Sequence, residues 1–458
     1  MGIKTYGGLA AANVKAVNAI VSASFSKDNN LLNLKNQWLT SWKTDNAGTT
    51  SSTQIRIPTV PAGVYNCQVD WGDGIKQLIT TAADANWTHT YSSAGTYSVT
   101  VSGIFRGIQF ANSGDRLKPL TLSQWGSTFR LGTSETDHFH GCGNLVITAT
   151  DILNLQGTTT LQNTFRAMSA LTTIPSFNSW NFASITSCRA TFFNNLLFNQ
   201  ALTFTALALT TTQSMISTCA AFNSAVNITT STALINISLM MAYNVLYNSP
   251  FTISNTSAVT DCTNLFNGDS KFNQPLTGIT SLASATSLSG FLQACFDFNQ
   301  IVNLVTGSAL TTIINMMRDA QKYNSAFTLS NTTNLASCAT AFYNAFLFNQ
   351  PMTGIPSTAN VTTMSFTFGF AAAFDQDVSF FSIAALTTAA NMLNGSGFTK
   401  VNYDKLLDSA TGWPSQATIS NSVALHAGTA HYSAGNPTTG RATLVSTKSW
   451  TITDGGTP

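Results

Sequence analysis

Charge is what this chain has least of. Charged residues make up 8% of its 458 residues, against about 25% in an ordinary globular domain. Ser, Thr and Asn fill the polar positions instead. A net charge of +2 leaves no electrostatic footprint for nucleic acid or an anionic membrane. Glutamate is nearly missing, Glu135 being the single one. A hydrolytic site needing two carboxylates ~5–10 Å apart must therefore come from aspartates. Asp269, Asp297, Asp319 and Asp375 are the candidates, and solvated turns or helix caps are their plainer reading. There is no GxSxG, P-loop or HExxH motif, and no run approaches the ~20 apolar residues that span a bilayer. The seven cysteines are odd in number and none stands in a CxxC pair, which excludes a disulfide framework and a zinc ribbon. No cofactor or metal is expected. A polar, nearly uncharged surface suits a virion or cell-surface protein better than a cytosolic enzyme.

What the chain does have is a repeat. An aromatic recurs as Phe198, Phe222, Tyr247, Phe272, Phe298, Tyr323, Phe348 and Phe374, at spacings of 24 to 26 residues. The frame extends back to Leu171 and Leu145 and forward to Phe398, eleven units in all. Six residues before each anchor stands a large apolar residue, from Phe139 to Met392. Ten before stand Leu161, Cys188, Ile237, Cys262, Leu288, Ile313, Cys338 and Met364. Offsets of −10, −6 and −3 form one helical face. After the anchor the period becomes two, as in Leu202/Phe204, Val226/Ile228, Phe251/Ile253, Val302/Leu304, Phe327/Leu329 and Val378/Phe380, which reads as a short strand. The spacing thus predicts an α/β repeat solenoid over residues 113–400, each coil a short helix and a short parallel strand.

Three features follow from this frame. Cys142, Cys188, Cys219, Cys262, Cys295 and Cys338 fall in core columns and read as reduced packing residues. The Asn after each anchor, namely Asn199, Asn223, Asn248, Asn273, Asn299, Asn324 and Asn349, reads as a ladder that satisfies turn backbone between coils. In KFNQPLTGI (271–279) and LFNQPMTGI (347–355), Pro275 opens the strand and Leu276 points inward, while Gly278 and Gly354 replace a large residue and predict a locally thin layer. His138 and Cys142 in HFHGC are near neighbours in any helix, but a capping or surface role for the histidine and a core column for Cys142 outweigh a metal site. Trp125, Trp180 and Trp413 are candidates for stacking on sugars, with core packing the default.

Ahead of the repeats, QIRIPTV, YNCQVDWGDG, WTHTYSSAGTYSVTVSG and GIQF alternate like strands, predicting a small antiparallel β-sandwich over 44–112. Asp73-Gly74 makes a turn, and Tyr97, Val99 and Val101 face inward. Asp70 and Asp73 are too few ligands for calcium. VDWGDG followed by THTYSSAGTYSVTVSG is similar to the signature of PKD-type immunoglobulin-like domains, which are binding or spacer modules on extracellular proteins. The repeats, together with YDKLLDSATGW, HYSAG and RATLVSTKSWTITDGG in a C-terminal cap over 401–458, resemble BspA-type leucine-rich-repeat surface proteins. That resemblance implies extracellular recognition and no reaction.

Residues 1–43 read as an N-terminal arm, partly helical from about residue 9 to 23. Lys15 interrupts the apolar stretch that a signal peptide needs, and no anchor sequence is found. The expectation is a non-enzymatic virion-surface or extracellular protein, such as a phage fibre, spike or decoration component. Its arm would contact neighbouring virion or surface-layer subunits, and its solenoid face a host receptor, a glycan or another subunit. Homo-oligomers remain open; nucleic acid and membrane insertion are not expected. The alternatives are a polysaccharide depolymerase and a cell-anchored bacterial adhesin.

Overall fold

A computed structural model of the chain describes residues 35–279 and 281–457. The expected helix and attachment role of the arm lie, up to residue 34, outside the described residues. The rest of that span is not an arm. Its alternating QWLTSWK forms strand β1 (Gln37–Lys43), with Trp38 and Trp42 buried on one face.

Strand β1 sits inside an antiparallel sheet with β3 (Val64–Asp70), β4 (Lys76–Ile79) and β6 (Thr96–Arg106), in the order β4-β3-β6-β1. A second pair, β2 (Gln54–Arg56) and β5 (Thr88–Thr90), completes the module. Period-two patterning sends Tyr65, Cys67, Val69, Val99 and Val101 inward. Tyr97 is only half-buried and stacks on Tyr91 at 3.7 Å.

The sheet does not end at the first repeat. Strand β7 (Pro119–Gln124) pairs antiparallel with β1 and parallel with β9 (Val146–Ile147), while β8 (Phe129–Arg130) pairs parallel with β6. A fully buried carboxylate and ammonium lock this junction. Asp115 accepts from the backbone N–H of Thr49, Thr50 and Arg56 at 2.8 to 3.0 Å, and Lys118 Nζ donates to the carbonyls of Ser51 and Gln54 at 2.8 and 2.7 Å. The aromatic chain Trp38–Phe129–Trp125–Phe139–Phe165, with centroids 5.7 to 6.0 Å apart, carries the core of the module into the coils.

The expected α/β solenoid of one short helix and one strand per coil is not what forms. Among the described residues the α-helices are α1 (Lys400–Leu407) and α2 (Asn436–Ala442), both beyond the repeats. The stretch before each anchor is a series of tight turns. In residues 288–295, Leu288, Gly290, Leu292 and Ala294 donate to carbonyls of the next coil (Thr312, Ile314, Met316 and Arg318) at 2.8 to 3.0 Å. The intervening Phe291, Gln293 and Cys295 donate three residues back. An α-helix sends every N–H four residues back and cannot share them in this way. The alternation requires left-handed backbone at two positions four apart, here Gly290 (φ 64°) and Ala294 (φ 55°), and the pair recurs as Asn163/Ala167, Asn264/Gly268, Asn315/Asp319 and Phe366/Phe370. A four-residue turn returns side chains inward at nearly the helical spacing, so the apolar period is obeyed without a helix.

Successive coils are held in parallel register. Thr160, Ser187, Thr211, Asn236, Asp261, Ser287, Thr312, Ser337, Thr363 and Thr388 bridge one to the next in an unbroken line. Short parallel strands follow some anchors: β10 (Leu202–Thr205), β11 (Val226–Thr229) and β12 (Phe251–Ile253) in one sheet, β13 (Val302–Leu304) and β14 (Phe327–Leu329) in another. Pro275 and Pro351 lead into 3-10 turns, Leu276–Gly278 and Met352–Gly354, where a strand was expected. The two glycines mark a close approach: a Cβ on Gly278 or Gly354 would stand 1.9 or 1.7 Å from the carbonyl oxygen of Phe251 or Phe327. In the coil closing the series the inward residues are Val378 and Phe381, and Phe380 is exposed. The cap ends the stack when β15 (Ala424–His426) takes the bonds of Ala389 and Leu393 and pairs with β16 (Thr451–Thr453).

The anchors form a column of buried rings, Phe198 through Phe374, with neighbours 5.5 to 6.0 Å apart and 5° to 25° from parallel. Outside it, each Asn side chain accepts the backbone N–H of the equivalent residue one coil on. Asn223 donates to Asn199, Asn248 to Asn223, Asn273 to Asn248, and so on through Asn299, Asn324, Asn349 and Asp375, all at 2.8 or 2.9 Å. Phe272→Ala should lower unfolding free energy by ~3–5 kcal/mol by opening a cavity in the ring column. Asn273→Ala should cost ~1 kcal/mol, since the N–H it leaves is near solvent. Urea titration measures both, and equal losses would disprove this division of roles.

Candidate functional site

The residues first considered for chemistry are mostly held by structure. Asp297 lies between Lys271 (3.0 Å) and Lys322 (2.8 Å), whose hydrogen bonds hold its carboxyl below the usual range. Asp319 pairs with Arg318 and accepts from Asn344. Asp375 accepts from Thr399 and Asn402. Asp269 is fully buried, with one oxygen accepting the Asn244 N–H at 2.7 Å and the other unpartnered. No pair of these is free to act as acid and base. Asp70 and Asp73 cap their turn through the N–H groups of Gly72 and Ile75, and pair with Lys76 and His89.

His138 is buried, hydrogen-bonded to Thr164 at 3.0 Å, and held neutral by burial, its pKa pushed down to about 4. Among the described residues no His, Cys, Asp and Glu group has metal-binding geometry. All seven cysteines are buried and unpaired. Trp125, Trp180 and Trp413 are core residues, at most 5% exposed, and present no face to a sugar.

Two flanks of the repeats are committed as well. Besides the Asn ladder, a row of threonines runs down one flank, a column that the reading of the sequence passed over. The hydroxyls of Thr186, Thr210, Thr260, Thr286, Thr311, Thr362 and Thr387 each donate to a carbonyl one coil back at 2.8 to 3.2 Å.

Uncommitted polar groups gather where the β-module meets the first coils. A groove of about 760 Å³ is lined by Ser127, Ile152, Asn154, Gln156, Ser179 and Asn181, among others. Ile152 exposes 56% of its surface there. Ser179 Oγ, Asn181 Nδ2 and Gln156 Nε2 make no hydrogen bond among the described residues, and no carboxylate lines the groove. The nearby Asp151 is occupied, accepting the N–H groups of Trp125 and Gly126 at 3.0 and 2.8 Å. Gln156 and Gly157 also form the wall of a smaller pocket of about 130 Å³, whose lining includes Arg106, Arg130, Thr133 and Glu135. The parallel pairing of β6 with β8 sets Arg106 opposite Arg130. The faint sequence sign of this pair was the repeated Phe-Arg of IFRG and TFRLG, which no spacing rule would have joined.

A family model described as "Mycoplasma protein of unknown function, DUF285" matches residues 159–280, 279–356 and 354–407, together more than half of the chain. No curated protein and no solved structure matches the chain.

Two expectations follow from the buried groups. Burial pushes the thiols of Cys67, Cys188, Cys219 and Cys338 up to about 12, so a water-soluble thiol reagent should label none of the seven cysteines in the native protein and all of them in denaturant. Burial also raises the Asp269 carboxyl well above its ordinary 3.8. The folded state then holds a proton that the unfolded chain releases, so the contribution of this group to stability is greatest below pH 3.8 and is lost as pH rises toward the raised value. Asp269→Asn, matching Asn195 and Asn244 in the same column, should remove that decline. Melting temperatures across pH 4 to 8, read as approximate bounds around that window, would refute this if wild type and variant ran parallel.

Proposed function

The chain belongs to the DUF285 family, whose function is unknown, and we propose from its geometry that it is a non-enzymatic recognition protein of an extracellular or virion surface. Its binding site is the groove between the β-module and the first coils, and its ligand is a glycan. One observation carries this reading: the groove joins an exposed apolar surface at Ile152 to unpartnered amide and hydroxyl groups at Gln156, Ser179 and Asn181. Sugars offer the same combination, a C–H face and a rim of hydroxyls, to sites that mix apolar walls with a few placed polar groups. The scarcity of charge and the likeness to PKD-type and BspA-type surface modules support the same setting. The absence of a lining carboxylate favours binding over cleavage, since glycoside hydrolysis in most families uses two.

The full chain should bind a subset of oligosaccharides on an array, and Asn181→Trp, which fills the groove, should abolish that binding at unchanged melting temperature. Binding unaffected by Asn181→Trp would refute the groove as the site. New reducing ends on incubation with bacterial polysaccharide would replace this reading with the depolymerase.

A further inference from the structure

We propose that Arg106 and Arg130 form an anion subsite at the end of this groove that takes the carboxylate of an acidic sugar residue. The inference rests on the glycan reading above and specifies its ligand class.

The two side chains occupy paired positions on adjacent parallel strands, β6 and β8, where neighbouring backbones run ~4.8 Å apart. Both line the same small pocket. Like charges so placed repel, and the ordinary remedy, a carboxylate partner, is missing: among the described residues neither arginine has an acidic group within ion-pair distance. Both Nε atoms are buried and unpartnered. The guanidinium of Arg106 makes no hydrogen bond to the described chain. Arg130 is oriented by Gln156, donating to its backbone oxygen at 3.2 Å and its side-chain oxygen at 2.5 Å. Burial and the neighbouring Arg106 both press the pKa of Arg130 downward, the state a bound anion would relieve.

Glu135 is the one acid in the pocket lining. Its Oε2 accepts the Thr133 N–H at 2.6 Å, which ties that carboxylate to its own turn. It faces any incoming anion as a repulsive neighbour, or a sugar hydroxyl as an acceptor.

Size and position narrow the ligand. About 130 Å³ is ample room for a carboxylate and its first carbon. The larger groove adjoins it across the shared Gln156–Gly157 wall and has room for the sugar ring. Two guanidinium forks match the planar, two-oxygen geometry of a carboxylate. A free phosphate or sulfate offers the same charge without the ring, so the two sources must be told apart.

The test uses the full chain and calorimetric titration with oligosaccharides carrying glucuronate, galacturonate or N-acetylneuraminate, each paired with its methyl ester, and with inorganic phosphate. At least one acid should bind tenfold or more tightly than its ester. Arg106→Gln and Arg130→Gln should each erase that preference, with melting temperature confirming the fold. Arg106→Lys, which keeps charge but loses the fork, should retain part of it. Arg189→Gln, which removes a positive charge elsewhere on the coils, should have no effect. Equal affinity for acid and ester would overturn the anion subsite and leave the groove standing, provided Asn181→Trp still abolishes ester binding. Phosphate binding as tight as the best sugar would overturn the sugar assignment, and loss of preference in Arg189→Gln would reduce the effect to diffuse charge. Absence of binding to every acid and ester would overturn the subsite and the groove together.

Discussion

Everything in this molecule follows from backbone N–H groups bonding to the neighbouring coil rather than to their own. A coil of about 25 residues cannot bury its apolar side or satisfy its peptide groups alone. Here every second N–H of the turn series crosses to the next coil. Such sharing forces left-handed backbone at two positions per coil, at residues as unsuited to it as Leu239, Tyr243 and Phe366. Each non-glycine residue there costs of order 1 kcal/mol. The cost is tolerated because the alternative is a buried peptide group with no partner, which is worse. Once the register is set, the rings of the anchor column face one another and the Asn side chains fall opposite the next N–H. The stack is therefore one cooperative object, closed at one end by the β-module and at the other by the strand pair of the cap.

The same bonding occupies the polar side chains of two flanks of the coils. Polar side chains are abundant, but the Asn ladder and the threonine row turn their acceptors and donors toward neighbouring coils. A long repeat face of Ser, Thr and Asn invites the idea of a hydroxyl-binding surface, yet on these two flanks the geometry has already used those groups. Apolar surface and unpartnered polar atoms meet where the regular pattern is broken. The junction is such a place, because an antiparallel sheet there hands over to parallel coils through β7 and neither pattern is complete. The groove and the arginine pocket both sit at that break.

The repeat frame, the core columns, the buried reduced cysteines and the residues that make the Asn ladder were all legible, because each depends on side-chain spacing that the sequence states directly. The conformation of the segment before the anchor was not. Offsets of 4 and 3 residues suit a helical face and a chain of four-residue turns alike, and the distinguishing left-handed positions carry Asn or Gly in some coils but Ala, Ser, Thr or Phe in others. The strand after the anchor failed where Pro275 and Pro351 appear, since proline sets φ and removes a donor, and a 3-10 turn results. The arginine pair lies 24 residues apart in sequence and in no repeat column. Only the pairing of β6 with β8 joins it, and that pairing is a tertiary fact.

The pair also breaks the habit of the chain. Along the repeat columns the polar group is mostly an uncharged one: Asn in the outer ladder until Asp375, Thr along the flank, Asn195 and Asn244 beside Asp269 in the interior column. The fully buried ion pair of Asp115 with Lys118 is closed on both sides by backbone donors and acceptors. Two guanidinium groups at paired positions with no acid between them follow none of these solutions. Neutral residues there would have relieved the repulsion without disturbing β6 or β8, whose pairing is through the backbone. Local violations of the rules that a chain otherwise keeps are expected where function, not folding, sets the residue. Gln156 links this violation to the groove, since one end of its amide orients Arg130 and the other is left open to whatever lies beside Ile152 and Asn181.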